Sequence, residues 1–152
     1  MGYVLRELNW RTDREAVLEF QRDTYELNFP GFVATDEFLA AYERDLRQAQ
    51  RSRHQAVWVV EQEGRLCGFL WLSLIATMTD PCVGFINNLY VAPEERGKGL
   101  GRLLVRQADE WFRQQGVGKA QLTASAHNEA AIRLYESVGY RTIRVRMEKR
   151  CE

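Results

Sequence analysis

A glycine-rich turn between a strand-like run and a long amphipathic run constrains this chain more than any other feature. Val83 to Val91 is rich in β-branched and aromatic side chains and reads as a strand. Ala92-Pro93 turns the chain, and Arg96-Gly97-Lys98-Gly99-Leu100-Gly101 follows. From Gly99 onward, Leu100, Leu103, Leu104, Ala108, Trp111 and Phe112 recur on one helical face. The first N–H groups of a helix lack intrahelical partners, and its N-terminus carries partial positive charge, so this junction suits an anion. Glycines ahead of it let a phosphate approach the backbone without a Cβ in the way. The sequence therefore predicts a phosphate or pyrophosphate held by backbone N–H groups, with Arg96 and Lys98 beside it.

Two common phosphate motifs do not fit. G-x-x-x-x-G-K-[ST] fails because Lys98 is followed by Gly99, and G-x-G-x-x-G fails because Arg102 stands at its third glycine. The pattern that does fit is R-x-x-G-x-G, read as Arg96, Gly99 and Gly101. It resembles the acetyl-CoA pyrophosphate loop of the GCN5-related N-acetyltransferase (GNAT) family. A second segment, Asn128-Glu129-Ala130-Ala131-Ile132-Arg133-Leu134-Tyr135-Glu136-Ser137-Val138-Gly139-Tyr140, resembles that family's N-x-x-A-x-x-L-Y-E-x-x-G-[FY] element. The two motifs stand in the family's order and cover roughly residues 83 to 142 with their strands. The front half matches only in coarse pattern.

The 152 residues suit one domain with an adequate core, taken as 1–152, and 45% hydrophobic content is that of a globular chain. No run is apolar and long enough to span a bilayer, and MGYVLRELNW has no signal-peptide layout. Cys67, Cys82 and Cys151 form no C-x-x-C pair, which fits reduced thiols in a cytoplasmic protein. His54 and His127 lie near no cysteine, so no metal is expected. Residues 1–92 carry 9 Lys+Arg against 13 Asp+Glu, and residues 93–152 carry 12 against 8. Either these are solvated faces, or the basic half holds CoA phosphates while the acidic half meets a cationic amine. The neutral total and the lack of a basic run speak against nucleic acid.

Periodicity places a strand over Tyr3 to Leu8, a helix capped by Asp13 and ended by Pro30-Gly31, and a second helix from Thr35. Strands follow over Ala56 to Glu61, Leu66 to Ile75 and Val83 to Val91, then the glycine-loop helix. Ala120 to Ala126 reads as a strand, Asn128 to Val138 as a helix and Tyr140 to Glu148 as a last strand. The expected fold is α/β: a mixed, mostly antiparallel sheet flanked by helices. The resemblance adds that its central strands, before the loop and after its helix, splay apart to admit CoA.

The resemblance implies roles for particular residues. Backbone groups of Leu89, Tyr90 and Val91 pair with the pantetheine arm, and their N–H groups stabilise the thioester oxygen. Arg96, Gly97, Lys98, Gly99, Leu100, Gly101 and Arg102 hold the phosphates. For Arg102 and Arg106 a solvated helix face is the alternative. Asn128 is either a helix cap or also a cofactor contact, and Ala131 shares a face with Tyr135 beside the cofactor. By spacing alone Tyr135 is a core aromatic, whereas the resemblance makes it the acid that protonates the departing thiolate, which a phenol of pKa about 10 can do. The positions where many relatives carry a basic carboxylate are Asn87, Asn88 and Thr123 here. That leaves Asn87 as a water-orienting or substrate-binding residue, with His127, Glu26 and Asp80 as other candidate bases. Tyr25, Asn28, Phe29 and Phe32 form either an aromatic wall for the acceptor or a hydrophobic cap on the sheet. The implied activity is acetyl transfer from acetyl-CoA to an amine in a ternary complex. The alternative is an acyl-CoA-binding or sensing module with little turnover. A homodimer is a family-level expectation.

Overall fold

The computed structural model describes residues 2–152. In chain order the elements are β1 (Tyr3–Glu7), α1 (Trp10–Asn28), α2 (Asp36–Gln50), β2 (Gln55–Gln62), β3 (Arg65–Ile75), β4 (Val83–Val91), α3 (Leu100–Gln114), β5 (Ala120–Leu122) and α4 (Glu129–Ser137). The five strands make one sheet, ordered β1-β2-β3-β4-β5. All neighbours are antiparallel except β4 and β5, which run parallel. The α/β architecture expected from the sequence is thus present.

Helices cover both faces of the sheet. On one face Tyr42 of α2 packs edge-on against Trp71, and Phe20 of α1 stacks on Tyr90 at 4.5 Å. On the other, α3 lies so close that any Cβ on Gly84 would overlap the Phe112 ring, and one on Gly68 would come within 3.4 Å of Leu100. The core between these layers centres on Val59, Phe69, Leu70, Leu72 and Leu104, all fully buried. The β2–β3 hairpin closes through Glu63 and Gly64, at φ 52° and 77°. Two left-handed residues give a turn whose twist suits the flanking strands.

Three expectations need correction. First, α1 begins at Trp10, a turn earlier than Asp13. Its cap is Asn9, whose side-chain oxygen accepts from the Arg11 N–H at 3.1 Å. Asp13 instead reaches back to accept from the Asn9 N–H at 2.8 Å and takes two bonds from the Arg6 guanidinium, at 2.8 and 2.9 Å. Second, β5 stops at Leu122 rather than Ala126, because β4 pairs with it only from Gly84 to Ile86. Third, Tyr140 to Glu148 forms no strand. Residues 141–152 carry neither helix nor strand and are all exposed, since no edge of this chain pairs with them.

Asp13 is buried, and burial alone would push its carboxyl up. The Arg6 and Asn9 bonds outweigh burial and hold it below its ordinary value. Its contribution to stability is therefore complete above the unfolded carboxylate value of about 3.9 and disappears as pH falls through the lower folded value. Asp13→Ala removes the Arg6 pair and the back-bond to Asn9 together. We expect about 2–3 kcal/mol lost in urea unfolding at pH 7, with a smaller difference from wild type below pH 3.

Candidate active site

The loop that joins β4 to α3 folds as the sequence predicts. A 3-10 turn over Pro93–Glu95 leads into Gly97 and Gly99, at φ 79° and 89°, and no atom lies within 4 Å of where their Cβ would stand. Their backbone is therefore open. The N-termini of α1, α2 and α4 are each capped by a side chain, from Asn9, Thr35 and Asn128. Gly99 provides α3 with no such cap, and no acidic residue occupies its first turn. The unpaired N–H groups and the positive end of the helix dipole are thus free for an external anion. Arg96 folds back, donating from Nε to the Val91 carbonyl at 3.1 Å, with its guanidinium 5.9 Å from the Tyr90 ring. Lys98 lies 3.7 Å from the buried Glu95, which also accepts from the Tyr3 hydroxyl at 2.7 Å. Arg102 and Arg106 are exposed along α3.

Gly101 has a different task. A Cβ there would come within 2.8 Å of Leu134, so this glycine lets α4 lie against the first turn of α3. The contact brings the two sequence motifs together. Tyr135, next to Leu134, meets Tyr140 edge-on at 5.8 Å. Burial, and then the neighbouring Tyr140, push the Tyr135 phenol up to about 12. Its hydroxyl has no hydrogen-bond partner among the described residues. It is a protonated donor not committed within the fold.

β4 parts from β5 after Ile86, so Asn87 to Val91 have no partner on that side. Asn87 is also the extra residue of a β-bulge, because Trp71 pairs with Asn88 and the next residue, Leu72, pairs with Ile86. Such bulges re-aim backbone and side chain. The exposed Asn87 accepts through Oδ1 from the buried Ser73 hydroxyl at 2.6 Å. Asn88 faces the other helices, accepting from the Tyr42 hydroxyl at 2.9 Å. Burial raises the Tyr25 phenol, and a bond from Asn88 partly offsets that rise. Tyr90 is pushed up to about 12 by burial and by its bond to Asp23 at 3.0 Å.

The proposed acceptor residues cluster at the end of α1. Tyr25 packs against Phe29, Phe32 and Phe38, with ring centres 4.8 to 6.4 Å away. The segment before α4 is latched to this corner. The Ser125 hydroxyl donates to the Asn28 carbonyl at 3.1 Å, and Asn128 donates to the Asn28 side chain at 3.0 Å. Asn128 also caps α4 through the Ala131 N–H. His127 Nε2 donates to the Leu27 carbonyl at 3.0 Å. Glu26 is occupied by the Ala34 N–H, and Asp80 pairs with Lys119 at 3.3 Å. Sequence reasoning did not identify Ser73, Tyr42, Phe38 or Asp23 at this site. Only Asp23 had a local signal, three residues after Phe20 on one face of α1.

A sequence profile of the acetyltransferase (GNAT) family matches residues 14–140. The chain belongs to the GNAT family. It is 32% identical over 114 residues to the uncharacterized N-acetyltransferase YdgE of Bacillus subtilis, covering 72% of this chain and 69% of that one. It is 35% identical over 99 residues to mycothiol acetyltransferase of Thermobispora bispora, covering 59% of this chain and 34% of that one. The chain thus spans about two thirds of the first relative and about a third of the second. The fold is that of AAC(6')-Iy, solved in complex with a bisubstrate analog, CoA-S-monomethyl-acetylneamine. That structure is 20% identical, with a TM-score of 0.72, and the match covers 99% of this chain and all of that one. By family, this GNAT chain is an acetyltransferase. Its open glycine backbone, uncapped α3 and unpaired β4 edge fit a pyrophosphate joined to an amide-bearing arm. Among the described residues, no helix is long and apolar enough to cross a membrane, and no cluster of three His, Cys, Asp or Glu could hold a metal.

Proposed function

We propose that this protein transfers an acetyl group from acetyl-CoA to a primary amine by direct attack in a ternary complex. The observation that carries the reading is the contact of Leu134, next to the uncommitted Tyr135, with Gly101 at the uncapped start of α3, which follows a β4 edge left unpaired after Ile86. Acetyl-CoA supplies the acetyl group as an activated thioester. Arg96, Lys98, Arg102 and the backbone from Gly97 to Gly101 hold its phosphates. The Leu89–Val91 edge receives its amide-bearing arm and donates N–H groups towards the thioester oxygen, while Asn128 and Ala131 flank it from α4. Tyr135 delivers a proton to the leaving sulfur.

The amine must arrive neutral. A Lys-like amine of pKa about 10.4 costs about 4.6 kcal/mol to deprotonate at pH 7, and an α-amine near 8 costs far less. With Asn87 and Asn88 where a carboxylate would stand, the chain has no strong base there. Asn87, fixed by Ser73, orients the amine or a water that carries its proton away, and His127 Nδ1 is the other acceptor within the latch. Tyr25, Asn28 and Phe29 wall the acceptor. This reading predicts that kcat/KM for a Lys-like amine rises about tenfold per pH unit from 7 to 9. Because Tyr135 holds its proton to about 12, no falling limb is expected below pH 10. A profile flat from pH 7 to 9 contradicts the proposed lack of a base.

A further inference from the structure

The loop from α1 to α2 is apolar, exposed and firmly held. Leu27, Phe29, Phe32 and Val33 are 56%, 53%, 37% and 67% exposed. Yet the backbone beneath them is tied at both ends. The Arg22 guanidinium donates to the Ala34 carbonyl at 2.8 Å, and the Glu26 carboxylate accepts from the Ala34 N–H at 2.9 Å. At the other end Ser125 and Asn128 hold the carbonyl and side chain of Asn28. A loop fixed in this way, with its apolar side chains outward, presents a surface to a ligand. Its rings lead inward. Phe32 meets Phe38 at 5.0 Å, and Phe38 meets Tyr25 at 4.8 Å. At the inner end the Tyr42 hydroxyl donates to the Asn88 side chain at 2.9 Å, and Tyr25 bonds the same side chain. Asn88 adjoins Asn87 at the bulge. The aromatic wall thus runs from an exposed rim to the residue that orients the amine.

Resting on the acetyl transfer proposed above, we propose that the acceptor is the N-terminal α-amine of a peptide whose first residues carry aromatic or large apolar side chains, and that Phe29 and Phe32 select it. Charge favours an acceptor with a single cation. Asp23 and Glu26, the carboxylates nearest Tyr25 along α1, are committed to the Tyr90 hydroxyl and the Ala34 N–H. Asp45, three residues after Tyr42 on α2, makes no ion pair among the described residues, and its charge adds to the burial that raises the Tyr25 phenol. One carboxylate draws in one ammonium. A polyamine or an aminoglycoside brings several, and would set the others against an apolar rim, where charge is costly. Basicity favours an α-amine. At pH 7 an α-amine of pKa about 8 loses its proton at far less cost than a Lys-like amine, and Asn87 and Asn88 supply no strong base. Extent favours a peptide. The exposed rim from Leu27 to Val33 offers more apolar surface than one phenyl group covers, so the second residue has a place to lie.

The test compares kcat/KM at pH 7, with product detected by mass, for acetyl-CoA and a set of acceptors. These are the peptides Phe-Leu-Gly-Gly-amide and tetraglycine amide, phenylalaninamide, spermidine and kanamycin. The two peptides present α-amines of like basicity, so their ratio reports the side chains. The Phe-Leu peptide should exceed tetraglycine amide by at least about tenfold, the effect of burying a phenyl group. Phe29→Ala combined with Phe32→Ala should bring that ratio within about threefold, while titration shows acetyl-CoA bound as in wild type. Equal rates for the two wild-type peptides overturn the proposal, whether or not the variant folds. So does a ratio that survives both substitutions. Phenylalaninamide matching the Phe-Leu peptide overturns it in favour of a small amine, and spermidine or kanamycin exceeding that peptide overturns it in favour of a polycation. In each of these cases acetyl transfer itself stands. Absence of product from every acceptor removes the acetyl-transfer reading as well.

Discussion

Tyr135→Phe lowers acetyl-transfer turnover by about 100-fold and leaves acetyl-CoA affinity within about twofold. The ring lies against Tyr140 and beside Leu134, which rests on Gly101, so Phe fills the same space. Only the hydroxyl is lost, and it holds no internal hydrogen bond whose loss would disturb the fold. A general acid contributes about 10²–10⁴ in rate, so a loss near the lower end fits a leaving thiolate, itself a weak base. The effect should fall on kcat rather than on binding, because proton delivery is needed only as the bond to sulfur breaks. Steady-state kinetics with direct titration of acetyl-CoA separates the two. An unchanged kcat removes Tyr135 from the mechanism. A large rise in the dissociation constant makes it a binding residue instead.

Among the glycines, the largest expected effect on stability is at Gly84. It sits in β4 between β3 and β5, donates its N–H to the Lys119 carbonyl at 2.9 Å, and faces Phe112. A methyl group there overlaps the ring of a buried residue hemmed in by Trp111 and the sheet, so neither side can yield cheaply. Overpacking of this kind costs about 1–3 kcal/mol, and the depth of overlap places Gly84→Ala near the top of that range. The double variant with Phe112→Leu should recover part of the loss. Gly101→Ala provides the contrast. Its new methyl meets the end of a flexible Leu134 side chain, so we expect less than about 1 kcal/mol. Urea unfolding of the three variants measures the difference. Equal losses at Gly84 and Gly101 would contradict this account of which glycine the packing requires.

The sequence was most legible where local chemistry settles local structure. The strand Val83–Val91, the glycine turn and the α3 stripe were readable because pattern, turn residues and propensity all agree there. Gly97 and Gly99 take the left-handed, open backbone that their place in a glycine turn suggests, but Gly101 answers to Leu134, a contact 33 residues away that no local pattern reveals. The bulge at Asn87 was invisible for a similar reason. It is a mismatch in counting between two strands, and neither strand's own sequence records it. Asp13 has the chemistry of a cap and in the fold does related work, yet Asn9 reaches the free N–H groups first. The arm after Tyr140 has a strand's alternation, but forming a strand needs a neighbouring edge, and that is a tertiary matter. Tyr42 and Ser73 read as ordinary core and strand residues. Their roles as supports of Asn88 and Asn87 appear only once α2 and β3 flank β4.

The central claim is acetyl transfer to an amine, and the most direct measurement is of the product's mass. The purified chain would be incubated with acetyl-CoA and a panel of peptides, amino acids, polyamines and aminoglycosides at pH 7 and pH 9. We predict an added acetyl group on members of one acceptor class, with more product at pH 9. No acetylated product from any acceptor, with tight acetyl-CoA binding confirmed by titration, would contradict the proposal and leave an acyl-CoA-sensing module in its place.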